Sequence, residues 1–445
     1  MTKKIHKTAN DKRLLYFLSV LMSLRLKKRS FAIASVICYL LFPFSLNAQD
    51  YLQPGAQPAH PALHTATGPE IVSRAAVVLD ALTGTILYAK NVHEEISPAS
   101  LTKLMTMHLV QNEVSSGRVS LNDIIPLTEE SWAINQPPRS SLMFLGPGQT
   151  VTLHDILLGL AVSSGNDAAI AAALALAPTV ADFVSIMNSE AQRLGLSATH
   201  FTEPSGISEY NMTTASEFAA FCRFYIAKHP ESLAEYHSVM EFSWPPAANV
   251  AQVFQDNPRT ITQYNRNALL RTFPGMDGLK TGYIDEAGYN IALTAERDGS
   301  RFIVLILGAP AISGGDRIRD DDGYRLMSWA FANFKTVYPM IEKIEGARLW
   351  KGKENYVQLK PARPDPLAPD SAVFTAPKQR ANSLWVSYEI SNPLIAPLPQ
   401  DYPAGFLIIS DEQGELHRIQ LLTVKTYKKG NVFKRIWHSL RLLFH

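Results

Sequence analysis

Ile96-Ser97-Pro98-Ala99-Ser100-Leu101-Thr102-Lys103 is the stretch on which the reading of this 445-residue chain turns. Ser100 and Lys103 stand three apart, so a helix through them sets both on one face about one turn apart, side chains in reach. A hydroxyl becomes a nucleophile only when something takes its proton, and a lysine can do so only if burial or nearby cations bring its pKa toward neutrality. The preceding Ser97-Pro98-Ala99 supplies turn and helix-start chemistry. That places Ser100 near a helix N-terminus, where free N–H groups and the helix dipole favour a developing anion. Taken alone, the spacing also occurs in many helices whose serine and lysine do nothing.

Two further elements follow in order. Val162-Ser163-Ser164-Gly165-Asn166-Asp167 precedes an alanine-rich run over 168–175, so it reads as a turn opening a helix. Its bland reading is a helix cap. Its chemical reading gives Ser164 a proton-shuttling hydroxyl beside the lysine, and Asn166 an amide that holds a substrate carbonyl while touching Lys103. Downstream, Gly278-Leu279-Lys280-Thr281-Gly282-Tyr283 precedes the apolar run Tyr289-Asn290-Ile291-Ala292-Leu293-Thr294 and reads as an edge strand lining a cleft. Lys280 would bring positive charge to the reacting centre, and Thr281 would hydrogen-bond a substrate carboxylate. Gly282 leaves room for backbone approach, and the N–H of Tyr283 would join that of Ser100 as an oxyanion hole. A solvated lysine on an edge strand is the plain alternative.

Together the order Ser-x-x-Lys, Ser-x-Asn, Lys-Thr-Gly is the signature set of penicillin-binding proteins and class A β-lactamases. With its flanking residues the chain resembles the low-molecular-mass D-alanyl-D-alanine carboxypeptidases of the peptidase S11 family, from about Ala75 to Phe334. The resemblance includes the hairpin-like segment 77–88, Met187-Asn188 and Leu194-Gly195-Leu196. It implies an α/β (α+β) transpeptidase-like domain with a five-stranded antiparallel sheet flanked by helices. It implies Ser100 as acylated nucleophile, Lys103 as base, Ser164 and Asn166 as relay and amide contact, and Lys280, Thr281, Gly282 and Tyr283 around the substrate. Arg319, six residues before Arg325, falls where relatives place a carboxylate-binding arginine, with Arg317 one strand step away as the other choice. No metal or organic cofactor is implied. The implied substrates are peptidoglycan stem pentapeptides, and β-lactams acylate the same serine. Two departures stand out. Thr199-His200-Phe201-Thr202-Glu203-Pro204-Ser205-Gly206-Ile207 puts Glu203 where many relatives have Asn, and Tyr283 stands where His is frequent. Glu203 reads either as a solvated loop carboxylate or as a deacylating base.

A net charge of +2 gives no reason to propose nucleic acid as a partner. Arg25, Lys27, Lys28 and Arg29 precede the apolar run 31–42 and Ser45-Leu46-Asn47-Ala48, which reads as a leader over 1–48 cleaved before Gln49. The additional apolar stretch upstream suggests translation from Met22. An uncleaved anchor is the alternative, although the run is short for a span of about 20 residues. Residues 49–69 read as a flexible tether, and 70–343 as the catalytic domain. Short alternating stretches over 355–359, 372–375, 384–390, 406–409 and 416–424 indicate a small β-sandwich over 344–427. In 428–445, Val432, Phe433, Ile436, Trp437, Leu440, Leu443 and Phe444 share a helical face. Lys434, Arg435, His438 and Arg441 take the other side, as in a helix lying on an anionic membrane. An exported, periplasmic enzyme held at the outer face of the cytoplasmic membrane is the resulting expectation. Cys222 lies in an apolar run and reads as a buried thiol. His108, His154 and His237 form no recognisable ligand motif and read as structural or surface residues. Three functions compete: a DD-carboxypeptidase, a β-lactamase or DD-endopeptidase on the same scaffold, and an idle wall-binding protein.

Overall fold

The computed structural model describes residues 67–250, 256, 259–339, 346–362 and 373–443. The leader over 1–48, the start at Met22, nearly all of the tether over 49–69 and the boundary at 343–344 lie outside the described residues.

Five strands form one antiparallel sheet: β1 (Ala75–Asp80), β2 (Ile86–Lys90), β3 (Met276–Ile284), β4 (Gly288–Arg297) and β5 (Ser300–Ala309). Their order is β2-β1-β5-β4-β3, which makes β3, the carrier of Lys280, an edge strand as its sequence indicated. The central strands are buried on both faces. Ala75, Val77 and Leu79 of β1 join Ile303, Leu305 and Leu307 of β5 in one apolar core, while Ala76, Val78, Phe302, Val304 and Ile306 point into another. The period of two thus feeds both cores from continuous apolar runs.

Between β2 and β3 the chain builds a helical region on the first of these faces. Its helices are α1 (Lys103–Ser115), α2 (Leu153–Leu158), α3 (Asn166–Leu176), α4 (Val180–Arg193) and α5 (Ala215–Lys228). The second face is covered by α6 (Gly315–Asn333) through Leu326, Met327, Ala330 and Phe331. Local sequence starts several of these helices: Thr152, Thr179 and Thr214 each accept a hydrogen bond from the backbone N–H three residues on. No side chain caps α1, which continues straight out of a 3₁₀ turn at Ala99–Thr102 and is buried from Lys103 to Gln111. A helix buried all round lets packing set its position. It is the axis of the site.

After α6 the chain enters a β-rich region. Strands β6 (Leu359–Pro361), β7 (Trp385–Ile390), β8 (Pro403–Asp411) and β9 (Gly414–Thr423) form an antiparallel sheet in the order β6-β9-β8-β7. A smaller sheet of Tyr356–Val357, Ala347–Trp350 and Leu394–Ile395 shares its core, which includes Leu349, Val357, Leu407, Ile419 and Leu421. Buried Asp80 at the end of β1 accepts hydrogen bonds from Thr336 Oγ1 at 2.7 Å and Thr375 Oγ1 at 2.9 Å, tying this region to the first sheet. The closing helix α7 (Val432–Leu442) is capped by Asn431, whose side chain accepts from the N–H of Lys434. Phe433, Ile436, Trp437, Leu440 and Leu443 all stand exposed, Phe433 at 85%. His438 departs from expectation. It is buried, and its Nδ1 accepts from the N–H of Lys351 at 2.8 Å, so it docks the helix rather than facing outward with the basic residues. On this one side α7 packs on the β region.

Candidate active site

The turn that carries Ser100 is held by contacts distant in sequence. Asn290 of β4 is buried; it donates to the carbonyl of Ser97 at 2.9 Å and accepts from the N–H of Gly308 at 2.8 Å. Ala99 has φ 48°, the left-handed region that a non-glycine residue enters at a cost of roughly 1–2 kcal/mol. Beside it, a Cβ added to Gly282 would stand 2.8 Å from the carbonyl oxygen of Pro98 and 3.0 Å from the nitrogen of Ser100. The absent side chain is what lets β3 press against the turn that carries Ser100. Gly282→Ala is therefore expected to slow penicillin acylation about 100-fold, the size of losing one oxyanion donor, with unchanged circular dichroism. Wild-type acylation in that variant would show that the approach is not needed.

Lys103, fully buried, points its amine at three oxygens. They are Ser100 Oγ at 3.0 Å, Asn166 Oδ1 at 2.8 Å and the Ser205 carbonyl at 2.5 Å. Two of these can only accept. A neutral amine has two N–H bonds and one lone pair, so donating to Asn166 and Ser205 aims the lone pair at the Ser100 hydroxyl. Burial lowers the Lys103 pKa to about 7, with the Arg266 cation acting in the same sense and the Glu203 and Asp167 carboxylates against it. A base is thereby available near neutral pH.

The second lysine comes from β3. Lys280 Nζ donates to Ser164 Oγ at 2.9 Å and to the Thr281 carbonyl at 3.0 Å. Burial, and the positive charges of Lys103, Arg266 and Arg319, push its pKa well below the usual lysine value. Ser164, read as a relay beside Lys103, is hydrogen-bonded to Lys280. Ser164 is left-handed, φ 57°, and stands between a π-helical turn at Gly159–Ser163, which continues α2, and the start of α3. Asn166 does reach Lys103, and its Nδ2 donates to Ser140 at 3.2 Å. Asp167, its neighbour, accepts from the N–H groups of Met143, Phe144 and Leu145 at 2.7 to 3.0 Å and so pins the facing loop.

Five further residues have surroundings that the sequence did not show. Glu203 is occupied: it accepts from the N–H of Ser205 at 2.7 Å, the Ser205 hydroxyl at 2.6 Å, the N–H of Gly206 at 2.6 Å and Asn211 Nδ2 at 3.0 Å. Its visible work is to shape the loop that offers the Ser205 carbonyl to Lys103. Arg319 is buried on α6, bound to Asp320 at 2.7 Å and 6.0 Å from the centre of the Tyr289 ring. Arg317 is exposed. The segment is a helix, so residues two apart occupy different faces and the strand-step alternative falls away. Tyr283 is 40% exposed, and its hydroxyl donates to Asp285 at 2.6 Å, which raises its pKa to about 12. Arg266 was not singled out from the sequence, although its charge reaches both lysines. Its only local signal is a basic residue between Asn265 and Asn267, and both of those are buried.

Comparison with known proteins bears on this arrangement. The family model described as D-alanyl-D-alanine carboxypeptidase (peptidase S11) matches residues 62–311. D-alanyl-D-alanine carboxypeptidase DacC of Escherichia coli is 31% identical over 397 residues, covering 88% of this chain and 93% of that protein. Penicillin-binding protein 5 of Haemophilus influenzae superposes with a TM-score of 0.70 at 29% identity, covering 82% of this chain and all of that one. Penicillin-binding protein D2 of Listeria monocytogenes in its cefotaxime-bound form has a TM-score of 0.51 at 29% identity, covering 60% of this chain and all of that one.

Proposed function

Since this chain belongs to the peptidase S11 family of D-alanyl-D-alanine carboxypeptidases, we propose that Ser100 is the nucleophile and Lys103 its base. In the same reading Ser164 and Asn166 serve proton transfer and substrate orientation, and Lys280, Thr281 and Arg319 receive the terminal carboxylate. The protein is a serine-type D-Ala-D-Ala carboxypeptidase. One observation supports the assignment of roles above all: the Lys103 amine, with two fixed acceptors, has its lone pair left for Ser100.

Attack by Ser100 Oγ on the carbonyl carbon of the penultimate D-alanine passes the hydroxyl proton to Lys103. The resulting oxyanion sits at the N–H groups of Ser100 and Tyr283, where Gly282 allows the approach. Collapse breaks the peptide bond, the departing D-alanine amine takes the proton from Lys103, and an ester remains on Ser100. Water then attacks the ester as Lys103 takes its proton; collapse breaks the bond between the acyl carbon and Ser100 Oγ, Lys103 returns that proton to Oγ, and the shortened peptide leaves with both groups restored. An arriving carboxylate favours the charged form of Lys280, so substrate binding itself restores a cation where burial disfavours one.

The test is to incubate the mature protein with a pentapeptide ending in D-Ala-D-Ala and with a labelled penicillin. D-alanine release together with a long-lived label is the expected result. Rapid label turnover without D-alanine would favour the β-lactamase reading, which the engagement of Glu203 in its own loop argues against.

An exported, periplasmic location at the outer face of the cytoplasmic membrane completes the proposal, with α7 as the contact. No single helix among the described residues is long and apolar enough to cross a membrane. The exposed row Phe433, Ile436, Trp437, Leu440 and Leu443 beside Lys434, Arg435 and Arg441 suits the surface of an anionic bilayer. Truncation after Tyr427 is expected to lower binding to anionic lipid vesicles by at least about 10-fold while leaving penicillin acylation intact. Equal sedimentation of both forms with the vesicles would contradict it.

A further inference from the structure

We infer that His237, outside the cleft and behind its edge strand, is a positioning residue that holds the β3 backbone so that Lys280 and Thr281 are aimed at the substrate. The inference rests on the assignment of Lys280 to the substrate carboxylate.

As an edge strand, β3 has a ladder partner on one side only, β4. The two carbonyls just before Lys280 are held by side chains. Asn267 Nδ2 donates to the oxygen of Gly278 at 3.2 Å, and His237 Nδ1 lies 3.1 Å from the oxygen of Leu279. A carbonyl only accepts, so Nδ1 carries the hydrogen and Nε2 is left as an acceptor. Tyr225 fits that need, its hydroxyl 2.8 Å from Nε2. The Tyr225 oxygen in turn accepts from Gln111 Nε2 at 2.8 Å, and Gln111 Oε1 accepts from the hydroxyl of Ser232. Every link has one permitted direction, so the imidazole has one tautomer and one orientation.

The line begins and ends at catalytic elements. Gln111 lies on α1, eight residues beyond Lys103, and Leu279 adjoins Lys280. The helix that presents the base is thus joined through buried groups to the strand that presents the carboxylate-binding lysine. Packing reinforces the join: a Cβ added to Gly278 would stand 3.3 Å from the Cβ of His237. Asn265 secures the histidine's own backbone by donating to its carbonyl at 3.1 Å. Burial lowers the His237 pKa to about 3 against the opposing hydrogen bond to the Leu279 carbonyl, so the ring is neutral throughout the working range. A residue that served only to fill the core would not need this directed set of partners.

The test uses the full chain with two acylating probes, a labelled penicillin, which carries a carboxylate, and p-nitrophenyl acetate, which carries none. His237→Leu is expected to lower the second-order rate constant for penicillin about 10-fold and to leave the acetate reaction within about 2-fold, the size of one hydrogen bond acting on one substrate group. His237→Asn offers an amide N–H near the place of ring Nδ1–H and should recover to within about 3-fold of wild type. Tyr225→Phe frees Nε2 without changing the ring and should show a selective loss of about 3-fold, which keeps the idea testable should His237→Leu fail to fold. In Lys280→Ala, adding His237→Leu should cost nothing more, because both act through one group. If Lys280→Ala discriminates between the probes and the His237 and Tyr225 variants do not, the positioning role is overturned while the assignment of Lys280 stands. If Lys280→Ala treats both probes alike, the assignment of Lys280 fails and the inference fails with it.

Discussion

Ser100→Ala is expected to give a folded protein that releases no D-alanine and takes up no penicillin label, a loss of about 10⁴-fold or more in acylation. Without the hydroxyl no acyl-enzyme forms, and the remaining binding groups cannot carry the reaction by a covalent route. Folding should be nearly unaffected. Ser100 is only partly buried, and Lys103 keeps Asn166 Oδ1 and the Ser205 carbonyl as partners. The left-handed Ala99 lies within the same turn, so any strain there persists in the variant. The check is label incorporation and D-alanine release beside a thermal melt. Label retained by Ser100→Ala would move the nucleophile elsewhere, to Ser164 first.

The second large effect concerns Lys103. Lys103→Met removes the base and should lower penicillin acylation about 10³-fold, within the range that general-base catalysis together with lost orientation of the hydroxyl supplies. In the wild type the rate carries an acid limb. Only the neutral amine accepts the Ser100 proton, and the Lys103 pKa lies near 7, so acylation rises with pH through about 7 and falls away below it. The same shift affects stability. Between about 7 and the ordinary lysine value of 10.5 the unfolded chain binds a proton that the folded site does not, so the fold gains stability as pH rises through that window. A pH profile of second-order acylation, wild type against Lys103→Met, tests the first statement, and melts at pH 7 and 9 test the second. A wild-type profile flat from pH 5 to 9 would remove Lys103 from the role of base.

How much was legible in advance differed by the kind of interaction. Ser100 and Lys103 are three residues apart, and local geometry brought them together as read. The edge strand carrying Lys280, the alternating strands of the C-terminal region and the exposed apolar row of α7 likewise follow from short-range pattern. His438 defeated the pattern because a helical projection knows one helix and not the Lys351 N–H packed against it. Arg317 seemed equivalent to Arg319 only while the segment was read with the period of a strand. Arg266 had no motif at all. It acts through its electric field on lysines that lie 163 and 14 residues away, if counted from Lys103 and Lys280.

The sequence by itself determined the family and the residues of its three motifs, on which the proposed role of Ser100 rests, because these are carried by short motifs whose chemistry is written in neighbouring side chains. Tertiary structure alone decided that Ser164 is hydrogen-bonded to Lys280, that the Ser205 carbonyl accepts from Lys103, that Glu203 is spent on its own loop and that His237 stands behind Leu279. The physical reason is that pKa and hydrogen-bond direction depend on burial and on partners far along the chain. Such partners meet only when the sheet, α1 and the loop after α4 have packed together.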